Sequence, residues 1–325
     1  MDILTIGIVS ISSVLNQDAF VAGTNILADA GFRVKVAPNV AQCRMVPPEE
    51  RARLLEEMWL DPEVDLLLFS RGGEGAEEVV PLLDWDRLRA RPDMPVMGFS
   101  DVTILLNAML AKGVGHPISG PMLSYATRLT PEAREWTRGV LRGALGNTAI
   151  PDNAGTIGNT GNTAGGLPPV SLTQFKGVTA ADFKPEGRLP DGEAALNGAG
   201  AVSAAGSMGG HVTRLHWLFQ NGLAPSAAGR VVFLECTARH KAETVIADLT
   251  EMRKGGFFDG AAAVVLCDFR HKDAERAALD AFFAEFAADL PCPVFAGFPY
   301  GHVSEIRAID FRREVIISPD GALRF

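Results

Sequence analysis

The chain is predicted to be an α/β protein, with an N-terminal domain built on a mostly parallel sheet flanked by helices and a C-terminal α/β domain after it. Three observations predict this. Apolar, β-branched runs alternate with segments of helical spacing in both halves of the sequence. Glycine-rich turns follow several of those runs, as in βαβ units. The length, 325 residues, is enough for two domains with separate cores.

Taken in order, Ile3–Ser10 is apolar and β-branched and reads as the first strand. Asp18–Ala30 has helical spacing and stops at Gly31, Arg33–Ala37 is extended, and Pro48–Trp59 is a charged helix with proline at its start. Val64–Ser70 is a strand, Arg71-Gly-Gly-Glu-Gly75 a tight turn, and a helix begins at Ala76. Pro95–Phe99 is a short buried strand and Asp101–Lys112 a helix. From Pro151 to Gly166 the composition shifts to Asp, Asn, Gly and Thr without apolar periodicity, which predicts an exposed connection. Loops of that length in compact proteins are usually lids or linkers, so Pro151–Gly200 is the expected boundary and substrate-covering element. The expected division is 1–150, 151–200 and 201–325. Beyond it come a glycine-rich turn Gly206–Gly210, a helix Val212–Gln220, and a strand Arg230–Leu234 ending at Glu235. They are followed by a helix Ala242–Lys254, a strand Ala261–Leu266, a helix Asp273–Ala288, and a strand Pro293–Ala296 that runs into Gly297-Phe-Pro-Tyr-Gly-His302. The tail Arg307–Ile317, with Arg312-Arg313 as a solvated turn, reads as a closing hairpin.

Composition narrows the function. Hydrophobic residues make up 47% and charged residues 21%, which describes a compact soluble protein rather than a disordered one. A formal net charge of −9 argues against nucleic acid or an anionic membrane as the main partner, since both would repel the chain at long range. No apolar stretch approaches the ~20 residues needed to span a bilayer. The first strand lacks the preceding basic residues of a signal peptide, so the cytoplasm is the expected compartment. Cys43, Cys236, Cys267 and Cys292 form neither a C-x-x-C pair nor a disulfide framework, and are expected to be reduced. The histidines lack zinc-binding spacing, and no metal or other cofactor is called for.

Ligand sites in such folds lie at the carboxyl ends of the strands. Three polar residues fall there: Ser100 between a strand and a helix, Glu235 after Val-Val-Phe-Leu, and His302 in the loop after Val294-Phe-Ala-Gly-Phe298. A serine on a sharp strand-to-helix turn is held out from the backbone beside free N–H groups, the arrangement hydrolases use for a nucleophile. The same residue also suits an ordinary helix cap. Histidine can take the serine proton and a carboxylate can orient the histidine, so the three have the makings of a triad; singly, Glu235 reads equally as a strand-end carboxylate and His302 as a loop residue. Arg71-Gly-Gly-Glu-Gly75 is either a plain turn or an anion cradle, though the lysine and hydroxyl of a P-loop are missing.

Four ordered segments, Arg71-Gly-Gly-Glu-Gly75 with Pro81-Leu-Leu-Asp-Trp85, Gly98-Phe-Ser-Asp-Val-Thr103, Phe233-Leu-Glu235 and Gly297-Phe-Pro-Tyr-Gly-His302, resemble the signatures of the LD-carboxypeptidases. These are serine peptidases whose family also contains the microcin C self-immunity hydrolases. Gly120-Pro-Met122 matches a further segment. The resemblance implies a Ser–His–Glu triad shared between two domains and meeting at their junction, with Ser100 as nucleophile, His302 as general base and Glu235 as its orienting carboxylate. It implies no metal, a small peptide or peptide conjugate as substrate, and a homodimer. The oxyanion donors are then expected to be the amides of Asp101 and Gly73. Three departures bear on substrate: His211 stands where the family commonly has Asn, Glu74 where an aromatic is common, and Ser119 where His is frequent. Arg71, Glu74 and His211 are accordingly the candidate substrate-binding residues. Two rival readings are a non-catalytic binder holding a small anion at Arg71–Gly75 and an acyl hydrolase using Cys236 or Cys267.

Overall fold

The computed structural model describes residues 3–146, 167, 169–174 and 201–325. The expected connection Pro151–Gly166, and the lid reading of 151–200 apart from 167 and 169–174, lie outside the described residues. The chain divides into two compact units, Met1–Leu167 with Ser304–Phe311, and Pro168–Val303 with Arg312–Phe325.

The first unit contains strands β1 (Thr5–Val9), β2 (Arg33–Val36), β3 (Leu66–Phe69), β4 (Pro95–Gly98) and β5 (His116–Ser119). Its helices are α1 (Gln17–Asp29), α2 (Pro48–Leu60), α3 (Ala76–Val79), α4 (Trp85–Leu88), α5 (Thr103–Lys112) and α6 (Pro131–Leu145). Every residue of β1, β3 and β4 is buried, as expected where helices cover both faces of a parallel sheet. The helices begin where the sequence supplies caps: Asn16 accepts from the Ala19 amide at α1, and Thr130 from the Ala133 amide ahead of Pro131 at α6. The strands order as β2-β1-β3-β4-β5, all parallel, with β13 (Ile309–Asp310) added antiparallel at the β5 edge.

The second unit carries a sheet ordered β9 (Gly206–His211), β10 (Arg230–Cys236), β11 (Ala263–Phe269), β12 (Val294–Ala296), parallel throughout, with β7 (Thr173–Gln174) antiparallel at its end. Helices α7 (Val212–Gln220), α8 (Ala242–Lys254) and α9 (Asp273–Asp289) alternate with these strands. A smaller antiparallel sheet joins β6 (Val170–Ser171), β15 (Ala322–Arg324), β14 (Val315–Ile317) and β8 (Val202–Ala204). Among the described residues no helix is long and apolar enough to cross a membrane.

Two expectations are corrected. Gly206–Gly210 is the body of strand β9 rather than a turn. Its glycines are demanded by proximity: a Cβ on Gly209, whose φ is +131°, would stand 2.0 Å from the Phe233 carbonyl oxygen on β10. The tail Arg307–Ile317 is no hairpin either. Its first part, β13, pairs with β5 in the first unit through Ile309 and Asp310, and His116 bonds Asp310 at 2.7 Å there. Its second part, β14, pairs with β15 and β8. The buried apolar residues Ile309 and Phe311, on either side of Asp310, are satisfied by the first sheet instead of by each other's strand.

Candidate active site

Ser100 is not a helix cap. It is the first residue of a 3-10 turn, Ser100–Val102, that leads into α5, and the residue before it, extended Phe99, makes no side-chain cap bond. Ser100 has φ +61°, one of two non-glycine residues with positive φ among those described. A left-handed conformation costs an L-residue about 1–2 kcal/mol and is kept only where the surroundings impose it. Here small residues permit the sharp turn. A Cβ on Gly98 would lie 2.8 Å from Val102, and one on Gly72 would lie 3.0 Å from Ser100 Cβ and 3.2 Å from its hydroxyl oxygen. The turn between β4 and α5 therefore has the sharp strand-to-helix form on which hydrolases can carry a nucleophile.

The turn after β3 lies beside this elbow. Gly73 and Gly75 both have positive φ, and a Cβ on Gly73 would overlap the Ser13 hydroxyl at 2.1 Å. Ser13 in turn donates its amide to the Gly72 carbonyl at 3.2 Å. Underneath sits Arg51, buried to 2% exposure on α2, whose Nη1 donates to the Ile11 carbonyl at 2.6 Å and the Gly75 carbonyl at 3.4 Å. Its Nε donates to the Val46 carbonyl at 3.1 Å, and Nη2 pairs with Glu78. Asp101 is buried as well, and its Oδ2 accepts from the Ser12 hydroxyl at 2.6 Å and the Ala76 amide at 2.9 Å. The Arg71 guanidinium donates to the Val14 carbonyl at 3.0 Å, while Glu74 is exposed. Ser119 is buried at the end of β5, beside Gly98.

In the second unit, Glu235 is the penultimate residue of β10 with no exposure, and its Oε2 bonds His302 Nδ1 at 2.8 Å. An ionised carboxylate only accepts, so the bond places a proton on Nδ1 and, in the neutral ring, leaves Nε2 as the basic nitrogen. Burial works against the charge on Glu235, but His302, His211 and His240 outweigh it and hold its carboxyl below the ordinary carboxylate value. The loop carrying His302 is fixed from β11, where the register slips by one residue between Leu266 and Phe269. That bulge turns the Asp268 amide to the Tyr300 carbonyl at 3.1 Å, and Gly301, φ +124°, passes with its missing Cβ 3.2 Å from Glu235 and 3.3 Å from Asp268.

His211 is the register partner of Glu235 on β9. Its ring centroid is 5.9 Å from that of His302 and 5.0 Å from that of His240, Nδ1 meets the Thr213 hydroxyl at 3.1 Å, and Nε2 lies 3.7 Å from Cys236 Sγ. Burial pushes its pKa down to about 4, so the ring is neutral at ordinary pH. Burial pushes the Cys236 and Cys267 thiols up, away from the thiolate a cysteine nucleophile requires.

Ser100, Asp101, Gly73, Arg71 and Glu74 thus belong to the carboxyl edge of the first sheet, and Glu235, His302 and His211 to that of the second. Within the first unit a Cβ on Gly72 would face Ser100, while one on Gly73 would face Ser13. Residues beyond those predicted are Arg51, Ser12, Ser13, Gly72 and Asp268. Ser12 and Ser13 carried a signal, polar residues directly after a first strand; Arg51 on a charged helix carried none.

The model of the LD-carboxypeptidase N-terminal domain matches residues 6–119, and that of the LD-carboxypeptidase C-terminal domain matches residues 205–317. A Streptomyces coelicolor protein named as a carboxypeptidase is 27% identical over 316 residues, covering 94% of this chain and 87% of the relative. The microcin C7 self-immunity protein MccF of Escherichia coli is 30% identical over 137 residues, 40% of this chain and 38% of the relative. The crystal structure of muramoyltetrapeptide carboxypeptidase from Oxalobacter formigenes superposes with a TM-score of 0.73 at 18% identity, covering 98% of this chain and 97% of that one, which shows a common fold.

Proposed function

The chain belongs to the LD-carboxypeptidase family of serine peptidases, and from that premise we propose that it cleaves an amide bond through Ser100, His302 and Glu235. The Ser100 oxygen attacks the scissile carbonyl carbon while His302 Nε2 takes the hydroxyl proton. The carbonyl oxygen becomes an oxyanion that accepts from the amides of Asp101 and Gly73. Collapse breaks the C–N bond, and the imidazolium returns its proton to the departing amine. Water then attacks the acyl-serine with His302 again as base, releasing the acid and restoring Ser100. Glu235 keeps the proton on Nδ1 and stabilises the imidazolium at each cycle. The observation that carries this reading is the 2.8 Å bond between His302 Nδ1 and a fully buried carboxylate, since a buried carboxylate without a hydrogen-bond donor would be costly.

The substrate is proposed to be a murein L,D-peptide from which D-alanine leaves, with Arg71, Glu74 and His211 recognising its polar ends; a homodimer in the cytoplasm fits that use. A second reading, a peptidyl-nucleotide conjugate, is favoured by the 30% identity to the microcin self-immunity protein. The test is a turnover panel of murein tetrapeptide and aminoacyl-nucleotide conjugates with wild type and Ser100→Ala. Release of D-alanine that the variant lacks supports the peptide reading, and cleavage of the conjugate alone supports the second. Folded wild-type protein inactive on both would point to a binder.

A further inference from the structure

We propose that the side chain of Asp101 is a positioning group that locks the two oxyanion donors to each other. This rests on the hydrolase reading above. The two proposed donors come from separate turns, the Asp101 amide from the elbow after β4 and the Gly73 amide from the turn after β3. Their spacing decides whether both reach one oxygen, and the two turns lie beyond the end of the β3–β4 ladder, which is paired as far as Leu68 and Met97.

The Asp101 carboxylate joins them. Its Oδ2 accepts the Ala76 amide at 2.9 Å, the first amide of α3, immediately after Gly75. Helix α3 has no side-chain cap of its own at Gly75, so Asp101 caps it from 25 residues away. The same oxygen accepts the Ser12 hydroxyl at 2.6 Å, which ties in the loop after β1, whose Ser13 amide holds the Gly72 carbonyl at 3.2 Å. Both bonds are buried. One residue therefore supplies a proposed oxyanion donor with its backbone and anchors the turn bearing the other with its side chain. Arg51 supports the far side through the Ile11 and Gly75 carbonyls.

An alkyl fluorophosphonate tests this, because its tetrahedral adduct places a phosphoryl oxygen where the oxyanion forms. The serine oxygen bonds to phosphorus, fluoride leaves, and the hydroxyl proton goes to the base. Asp101→Ala removes the one oxygen that accepts both bonds. Misplacing a catalytic group by about 1 Å costs on the order of a hundredfold. The expected result is a maximal phosphonylation rate about 30- to 100-fold lower, with the half-saturating probe concentration within about twofold of wild type and circular dichroism showing a folded protein. Ser12→Ala, which loses one of the two bonds, is expected to slow the same step about 3- to 10-fold, and it carries the test with the same readouts if Asp101→Ala does not fold. A variant that reacts as fast as wild type, or loses only probe affinity, overturns the positioning role alone. A folded wild type that forms no adduct overturns the hydrolase reading, and this inference with it.

Discussion

His211 offers a quantitative check on the electrostatics around Glu235. Its ring is buried between β9 and the His240 and His302 rings, and its pKa is lowered chiefly by burial, with His302, His240 and Arg214 acting in the same direction and Glu235 opposing. A folded value of about 4 against an unfolded value of 6.5 means the unfolded chain binds the extra proton between those limits. The group's contribution is thus fully present above pH 6.5 and is lost as the pH falls to 4. It amounts to about 3 kcal/mol, because each tenfold weakening of proton binding in the folded state is worth about 1.36 kcal/mol. Proton-resolved imidazole NMR across pH 7 to 4, assigned with His211→Asn, should find this ring titrating near the bottom of that interval, well below an ordinary imidazole. Chemical denaturation of wild type and His211→Asn in parallel should show the wild type losing roughly 3 kcal/mol more than the variant over the same pH range. A ring that titrates near 6.5, or two stability profiles that stay parallel, would refute the claim that burial keeps this imidazole neutral.

Further outcomes follow from single positions. Ser100→Gly is expected to melt at a higher temperature than Ser100→Ala, by an amount equivalent to about 1 kcal/mol, because only glycine is relaxed at φ +61°; calorimetry of the two inactive variants decides it. Glu235→Gln should keep the fold and lower kcat by roughly a thousandfold or more through loss of the Nδ1-protonated tautomer, read by steady-state kinetics with circular dichroism as control. Gly209→Ala should cost more than about 4 kcal/mol, because its Cβ meets the Phe233 carbonyl. Gly222→Ala, with positive φ but open space around it, should cost only about 1 kcal/mol. Thermal melts of the pair separate backbone crowding from conformational strain.

Much of the fold was legible because local signals agreed with the final packing. Helices α7 and α8 fall on the spans the sequence predicts, and α2 overshoots its predicted end by one residue. The alternation of apolar runs and helices also anticipated the parallel sheets. Strand β9 was illegible because glycine carries no strand preference; what makes it a strand is the approach of the Phe233 backbone, a contact between residues 24 apart. Strand β5, His-Pro-Ile-Ser, was too short and too polar at its start to announce itself. The destination of Ile309 was hidden for a similar reason, since two apolar residues do not say which sheet they complete.

For the site, residue types at strand ends pointed to Ser100, Glu235 and His302, and family motifs led to the proposal that they act as a triad. The side-chain anchors were beyond reach: Ser12 meets Asp101 across 89 positions, and Arg51 meets Ile11 across 40. Nothing in a charged helical segment distinguishes a buried arginine that bonds three carbonyls from its solvated neighbours until the loops it holds are in place.

The most direct test of the triad is intact-mass and peptide mapping after fluorophosphonate treatment of wild type, His302→Ala and Glu235→Gln. One adduct on the Ser100 peptide of wild type, forming at least a hundredfold more slowly in both variants, is the predicted result. No adduct on the folded wild type, an adduct on another residue, or equal rates in all three proteins would contradict it.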